Sequence, residues 1–362
     1  MTGQSLTETA SIAGKSLDRL LSQSLVDGRT LLAWDAALWA ELEAQGIPEA
    51  LAATIDEDPA DADRLGVDGA LHMLFLAGRH AAPVPIAEHM VAAWLAAQAG
   101  LDLPGGPIVL VGAGWHDEMV VSSSGTVNGV ARQVPFAREA AAVLVIDDDR
   151  LAVLPRSAWE SERWENTAAE SRDTLTIREM RADAVADTPA SRLTVRAGLA
   201  CARAVQIAGA LERTLELTAQ YVQERKQFGR PIGKFQAVQQ ALAELGGQVA
   251  TTQAAVALAP EAFGDPHRVA ALAAAKIRAG EAVGVASRIA HQAHGAIGFT
   301  QEYELQRLTR RMWSWREDYG NESNWGRWLG LAITQPSTDG RAQSLWSLLT
   351  NELRLDSPRS TY

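Results

Sequence analysis

The stretch ERKQFGRPIGKFQAVQQALAEL, Glu224 to Leu245, sets a tight glycine–proline turn between two helical patterns. Upstream, Leu211, Leu215, Ala219 and Val222 recur at the three- and four-residue spacing of one helix face. Downstream, the run from Phe235 begins a second helix. Between them Gly229 and Gly233 permit a sharp connection without side-chain collision. Arg225, Lys226 and Arg230 charge it. Arg225 and Phe228 share a face if the first helix persists through them. Arginine offers forked donors suited to phosphate, and phenylalanine a flat apolar surface, so the stretch can clamp an anion. It can equally be a solvated turn with a buried Phe. A second glycine-rich stretch, HQAHGAIGFT at 291–300, lets backbone approach a ligand or another helix at Gly295 and Gly298. It is not a dinucleotide fingerprint, because no G-x-G-x-x-G opens a helix after a strand.

Outward from this point the order is helical, β, helical. Residues 16 to about 101 read as helices, with Leu31, Trp34, Leu38 and Leu42 on one face and two further runs separated by APVP, whose prolines force extended backbone. From about 108 to 188, short β-branched runs such as IVLV, AAVLVIDDD and DTLTIREM predict one compact, mostly antiparallel sheet. Helical spacing resumes at Ser191. Asp265 is a candidate N-cap with Pro266 in the first turn of a later helix. In EYELQRLTRRMWSWREDYG, Leu305, Leu308, Met312, Trp315 and Tyr319 form one apolar stripe, from which Glu317 and Asp318 project away. Arg316 and Glu317 read as a surface pair. The tail from Thr334 carries little signal until LWSLLTNELRL.

Composition narrows the function. The chain has 362 residues, 47% of them hydrophobic, and a formal net charge of -11, which argues against nucleic acid as its main partner. Cys201 is its single cysteine, so neither an intrachain disulfide nor a cysteine-rich metal site is expected. No signal peptide and no membrane span are expected, which reads as cytoplasmic. His291 and His294 lack a carboxylate partner in sequence and predict no metal site; His294 is expected to pack or bond near a cofactor. Trp313, Trp315, Trp325 and Trp328 crowd one late segment, as in a packed core or a subunit interface.

Together the two glycine-rich stretches and the helical–β–helical order resemble the acyl-CoA dehydrogenase family over nearly the whole chain. The resemblance implies an α+β fold: an N-terminal helical domain (1–103), a small antiparallel middle β domain (104–188) and a C-terminal helical bundle (189–362). In that family FAD lies at a subunit interface, and one subunit lends an R-x-x-F-G segment and a Q-x-x-G-G-x-G segment to the pyrophosphate and adenosine of the other's flavin. Arg225, Phe228 and Gly229 match the first, with Gln236 and Gln239 at the matching helix start. Gln292, Gly295 and Gly298 match the second, with Ala296 where a glycine is commoner.

The flavin-ring half departs from the family. Its LTEPxAGSD segment has no counterpart, and Val134, Pro135 and Phe136 stand where a Trp and hydroxyl residues usually sit. The family's reaction needs a carboxylate over the carbon α to the thioester. Tyr319 occupies the usual position of that base, and the alternative position, near Leu199, holds no acid. A phenol is a poor base at neutral pH. The pattern resembles the non-catalytic members of α2β2 acyl-CoA dehydrogenases of bacterial steroid side-chain degradation. This implies an acyl-CoA substrate and a second family subunit that supplies the catalytic Glu and shares the FAD. Two alternatives remain open at this stage: a self-sufficient homo-oligomer using Glu317 or Asp318, and a flavin-free scaffold or acyl-CoA-binding subunit.

Overall fold

The structure, a computed structural model, describes residues 6–26, 34–58 and 60–334. Five helices come first: α1 (Glu8–Val26), α2 (Ala36–Ala44), α3 (Ala50–Ala53), α4 (Gly66–Arg79) and α5 (Ile86–Gln98). Asp35 caps α2 by accepting from Leu38 N at 3.0 Å, so Trp34 lies just outside the helix; Leu31 falls outside the described residues. Eight strands follow: β1 (Ile108–Val111), β2 (Glu118–Val121), β3 (Thr126–Pro135), β4 (Ala142–Ile146), β5 (Arg150–Pro155), β6 (Glu160–Glu162), β7 (Arg172–Arg181) and β8 (Ala184–Asp187). The remaining elements are α6 (Arg192–Glu224), the two-residue strands β9 (Lys226–Gln227) and β10 (Arg230–Pro231), α7 (Gln236–Val256), α8 (Ala259–Ala262), α9 (Val269–His294), α10 (Leu305–Glu317) and α11 (Glu322–Thr334).

The strands make two four-stranded sheets rather than the single sheet expected. Their orders are β1-β4-β5-β8 and β2-β3-β7-β6. All pairings in these sheets are antiparallel except β1 with β4. Strand periodicity explains the stacking. Ala142, Leu144 and Ile146 of β4 join the core shared with the helices, while Val143 and Val145 join the core shared with the second sheet. Both faces are covered, hence the unbroken apolar run.

Helix α6 is the axis of the molecule. Ser191 caps it by accepting from Thr194 N at 3.2 Å. Its buried face packs on α4 and α9, and against α4 so closely that two glycines are obligatory. A Cβ on Gly78 would fall 2.0 Å from Gln206 O, and one on Gly209 would fall 2.0 Å from Phe75 O. Helix α9 starts later than expected, at Val269. Asp265 instead accepts from His267 N at 2.8 Å through its side chain and from Arg268 N at 3.1 Å through its carbonyl, closing a turn before the helix begins. Two of the late tryptophans, Trp315 and Trp325, are core, and Trp313 is exposed. LWSLLTNELRL lies outside the described residues.

Candidate functional site

Helix α6 stops at Glu224, so Arg225 and Phe228 do not share a helix face. The chain instead folds into a minimal hairpin in which β9 and β10 pair antiparallel. Its corner is Phe228–Gly229, both in left-handed backbone with φ of 51° and 77°. Phe228 is 92% exposed, which removes the reading of a turn built around a buried Phe. Arg225 is exposed and has no side-chain partner among the described residues. Arg230 covers the Phe235 ring at 4.3 Å. Helix α7 then begins without a side-chain cap, leaving its first N–H groups open. Gln236 is exposed there, and Gln239 is exposed while donating to Gly233 O at 3.1 Å.

The second glycine-rich stretch is brought beside the first. Tyr221, one turn before the end of α6, stacks on His294 at 4.4 Å and donates to its carbonyl at 3.3 Å. His294 is buried and tied to Tyr303, and His291 contacts Thr309, so both imidazoles are committed to packing; burial pushes both below the usual histidine range. Among the described residues no cluster of side chains suited to a metal ion occurs. Gln292 and Gly295 are exposed, and the space where a Cβ of Gly295 would stand is open; Gly298 is buried against His294 and Leu305.

The third region is the turn after α10, and here the structure departs most from the expected stripe. Tyr319 is not on the helix. Asp318 ends α10, and Tyr319 adopts φ 57° with Gly320 at φ 99°. The Tyr319 carbonyl accepts from two indoles, Trp115 Nε1 and Trp325 Nε1, each at 3.1 Å. Its phenol points inward and donates to Glu88 Oε1 at 2.9 Å. Glu317 projects outward, accepting from Asn321 at 2.9 Å. Asp318 does not project away as expected. It turns inward because Arg172 Nη2 and Arg203 Nε lie 2.9 and 3.0 Å from its carboxylate. Arg316 pairs with Glu322 at 2.7 Å, not with Glu317.

Behind this turn lies a buried chain of charges. Arg203 reaches Glu88 at 2.5 Å, Arg172 reaches Glu170 at 3.1 Å, and Arg311 reaches Glu170 at 2.9 Å. Burial pushes the Glu88 carboxyl up against the pull of Arg203. Burial would raise Glu170 too, but Arg172 and Arg311 outweigh it and hold that carboxyl below its usual range. Burial, and then the negative charge of Glu88, push the Tyr319 phenol well above its ordinary value. Lys276 on α9 donates to Trp315 O and Arg316 O at 2.9 and 2.6 Å and so clamps the end of α10.

In front of the turn, between the sheets and α10–α11, opens a cleft of 1110 Å³. Trp115, Trp164, Trp313 and Tyr319 line it together with Arg172 and both candidate acids, Glu317 and Asp318.

Residues 194–320 match the model of the acyl-CoA dehydrogenase C-terminal domain, a span that holds both glycine-rich stretches and the Asp318–Gly320 turn. Residues 194–320 are thus similar to the C-terminal domain of acyl-CoA dehydrogenases. Among curated acyl-CoA dehydrogenases, IpdE2 of Mycobacterium tuberculosis is 41% identical over 103 residues, which is 28% of this chain and 31% of that protein. The match thus spans about a third of the curated relative's length. Solved structures match throughout. A variant of the Tcur3481–Tcur3483 steroid acyl-CoA dehydrogenase has a TM-score of 0.76 at 26% identity, covering 90% of this chain and 98% of that one. The ChsE4–ChsE5 complex of Mycobacterium tuberculosis has a TM-score of 0.76 at 21% identity, covering 91% and 98%.

The α+β fold of an acyl-CoA dehydrogenase is therefore present, helices before and after the strands. Sequence reasoning missed Glu88, Arg203 and Lys276. No local signal marks them. Glu88 lies in an ordinary helical run, and its partner Arg203 is 115 positions away. The one available hint was the presence of charged residues within otherwise apolar helix faces.

Proposed function

We propose that this chain is the non-catalytic subunit of a heteromeric, FAD-dependent acyl-CoA dehydrogenase, lending Arg225 and its neighbours to the ADP half of a flavin held with a second family subunit. That partner carries the Glu base, in an α2β2 assembly in the cytoplasm. The assembly dehydrogenates an acyl-CoA thioester between its α and β carbons. The observation that carries this reading is the contrast between two regions. The anion-clamping hairpin is open to a ligand, whereas position 319 is a phenol bonded to a buried carboxylate.

The residues present fit the ADP part of FAD. Arg225 is exposed and unpartnered among the described residues, Phe228 offers a bare ring, and the space beyond Gly229 and Gly295 is open. The uncapped start of α7 adds N–H groups that favour an anion. Arg225 would pair with the pyrophosphate and Phe228 would cover a flat ligand face. Gln236 and Gln292 would supply polar contacts and Gly295 close backbone approach, whereas Gly298, buried against His294 and Leu305, would act only by packing behind them. Bound FAD supplies the hydride acceptor. Two features favour a base from the partner over the acids beside Tyr319: Asp318 is ion-paired to two guanidiniums, and Glu317, at the rim of the cleft, is held by Asn321. A steroid side-chain thioester as substrate is supported by the steroid acyl-CoA dehydrogenase among the structural neighbours.

Purification with and without a co-expressed second acyl-CoA dehydrogenase-family subunit tests the proposal. Two flavins per tetramer, bound only with the partner, are expected. Arg225→Ala should weaken FAD retention about 10- to 100-fold, the worth of one charge-assisted phosphate contact. A fully flavinylated, active homotetramer of this chain would overturn it, as would unchanged FAD retention in Arg225→Ala.

A further inference from the structure

We propose that the cleft in front of the Asp318–Gly320 turn binds a small organic cation of the quaternary-ammonium kind, held by two indoles and two carboxylates, Trp164 with Glu162 and Trp313 with Glu317. The proposal goes beyond the flavin reading and does not rest on it, because none of the four residues belongs to either glycine-rich stretch.

Each indole is brought beside its carboxylate by local structure. Trp313 and Glu317 are four apart on α10 and share a helix face. Glu162 ends β6, Trp164 follows two positions later, and both line the cleft. The two segments are tied together, since the Thr167 and Ser314 hydroxyls are hydrogen-bonded at 3.0 Å and Arg310 Nε donates to Thr167 O at 2.5 Å. The backbone of Trp164 is held as well. Its N–H donates to Asp173 at 3.2 Å, and its carbonyl accepts from Arg138 at 2.8 Å and from Arg172 N at 2.9 Å. Its ring is nevertheless 58% exposed, and among the described residues no other ring and no guanidinium packs on it. Trp313 is 40% exposed and carries the Arg316 guanidinium 5.0 Å from its ring centre, so its π face already attracts a cation.

The charge of the cleft favours the same class of ligand. Five carboxylates and two guanidiniums line it. Three of the carboxylates are satisfied: Asp318 by Arg172 and Arg203, Glu165 by Arg138, and Asp117 by the N–H groups of Gly112, Gly114 and Arg132. Arg132 has no ion pair among the described residues, and its formal charge offsets that of the adjoining Asp117. Glu162 and Glu317 are exposed and also lack an ion pair there; Glu317 holds only the Asn321 amide. Negative charge therefore remains next to bare indole surface. A metal ion is not the matching cation, because the described residues contain no cluster of side chains suited to one. A quaternary ammonium matches both features, since its apolar shell packs on the indoles while its charge meets the ring quadrupole and the carboxylates. At 1110 Å³ the cleft has room for such a group and an organic body attached to it.

Titration of the purified full chain with choline, read by tryptophan fluorescence and by saturation-transfer NMR, tests the site. The control is 3,3-dimethylbutan-1-ol, the neutral analogue with carbon in place of the ammonium nitrogen. Saturable choline binding is expected, about tenfold or more tighter than that of the alcohol, because the shapes match and the charge differs. Trp164→Ala should weaken it about 3- to 30-fold, the worth of one cation–π contact. The double variant Glu162→Gln/Glu317→Gln should also weaken it and flatten its dependence on salt. All three side chains are exposed, and wild-type circular dichroism would verify that the variants fold. Absence of saturable choline binding, equal binding of the alcohol, or choline binding unchanged in either folded variant would overturn the proposal. Binding of a trimethyllysine peptide but not of choline would overturn it too, and would assign the cleft to a protein partner.

Discussion

Arg203→Met is the substitution that most directly measures the buried charge chain. It keeps the length of the side chain and its contact with Trp315 but removes the guanidinium from between Glu88 and Asp318. Asp318 retains Arg172 at 2.9 Å, so its charge stays compensated. Glu88, fully buried, keeps only the Tyr319 hydroxyl and one unpartnered oxygen. Breaking a buried pair on one side costs roughly 3–5 kcal/mol. Glu88 can escape part of that cost by protonating, so the loss should depend on pH. A carboxyl whose folded value is raised leaves the folded state most stable below its unfolded value near 4.3, and stability falls as pH rises through the folded value. Burial already raises Glu88 in the intact protein, and removing Arg203 raises it further. Urea unfolding of Arg203→Met should therefore show a larger deficit against wild type at pH 8 than at pH 5. Adding Glu88→Leu should recover most of the loss, because the isolated charge is gone. A deficit under about 1 kcal/mol that is flat with pH, or a double variant as unstable as the sum of the singles, would refute the reasoning.

Three further outcomes are expected. Burial lowers the Lys276 amine to about 7, while the unfolded chain holds its proton to about 10.4, so the unfolded state binds more protons in between and wild-type stability should gain a rising component over that window. Lys276→Met should abolish that component and loosen the end of α10, read as a shift in the fluorescence of Trp315 and Trp325. Gly320→Ala places a methyl 2.3 Å from Trp115 Nε1 at φ 99°, and should lower stability by about 1–3 kcal/mol and break the paired indole contacts. Cys201 is fully buried and its thiol is pushed up to about 12, so iodoacetamide should label it only after unfolding; labelling of the native chain at neutral pH would contradict the packing of α6.

What could be read from the chain itself was whatever is written locally. Apolar spacing of three and four located α6 and α10, and Ser191 marked the start of α6 because a cap and its helix are neighbours in sequence. Where a local rule competed with a turn, the reading slipped. The stripe through Trp315 runs on to Tyr319, although the chain leaves the helix at Asp318, and Asp265 reads as a cap although it closes a turn that ends before α9. The strands were visible one by one. Their division into two sheets was not, because an apolar run covered on both faces carries no sign of which residues face the helices and which face the other sheet.

By itself the sequence determined the family resemblance, through Arg225–Gly229 and Gln292–Gly298, and the absence of an acid at position 319. Those features sit in short contiguous segments whose glycines and arginine act through their own backbone and side chains. Tertiary structure alone decided what surrounds Tyr319. Glu88 and Tyr319 are 231 positions apart, and they meet only because α5, α6 and the turn after α10 converge in the core. A charge buried by packing has no local signature, since the same glutamate on a solvated helix face would read identically in sequence.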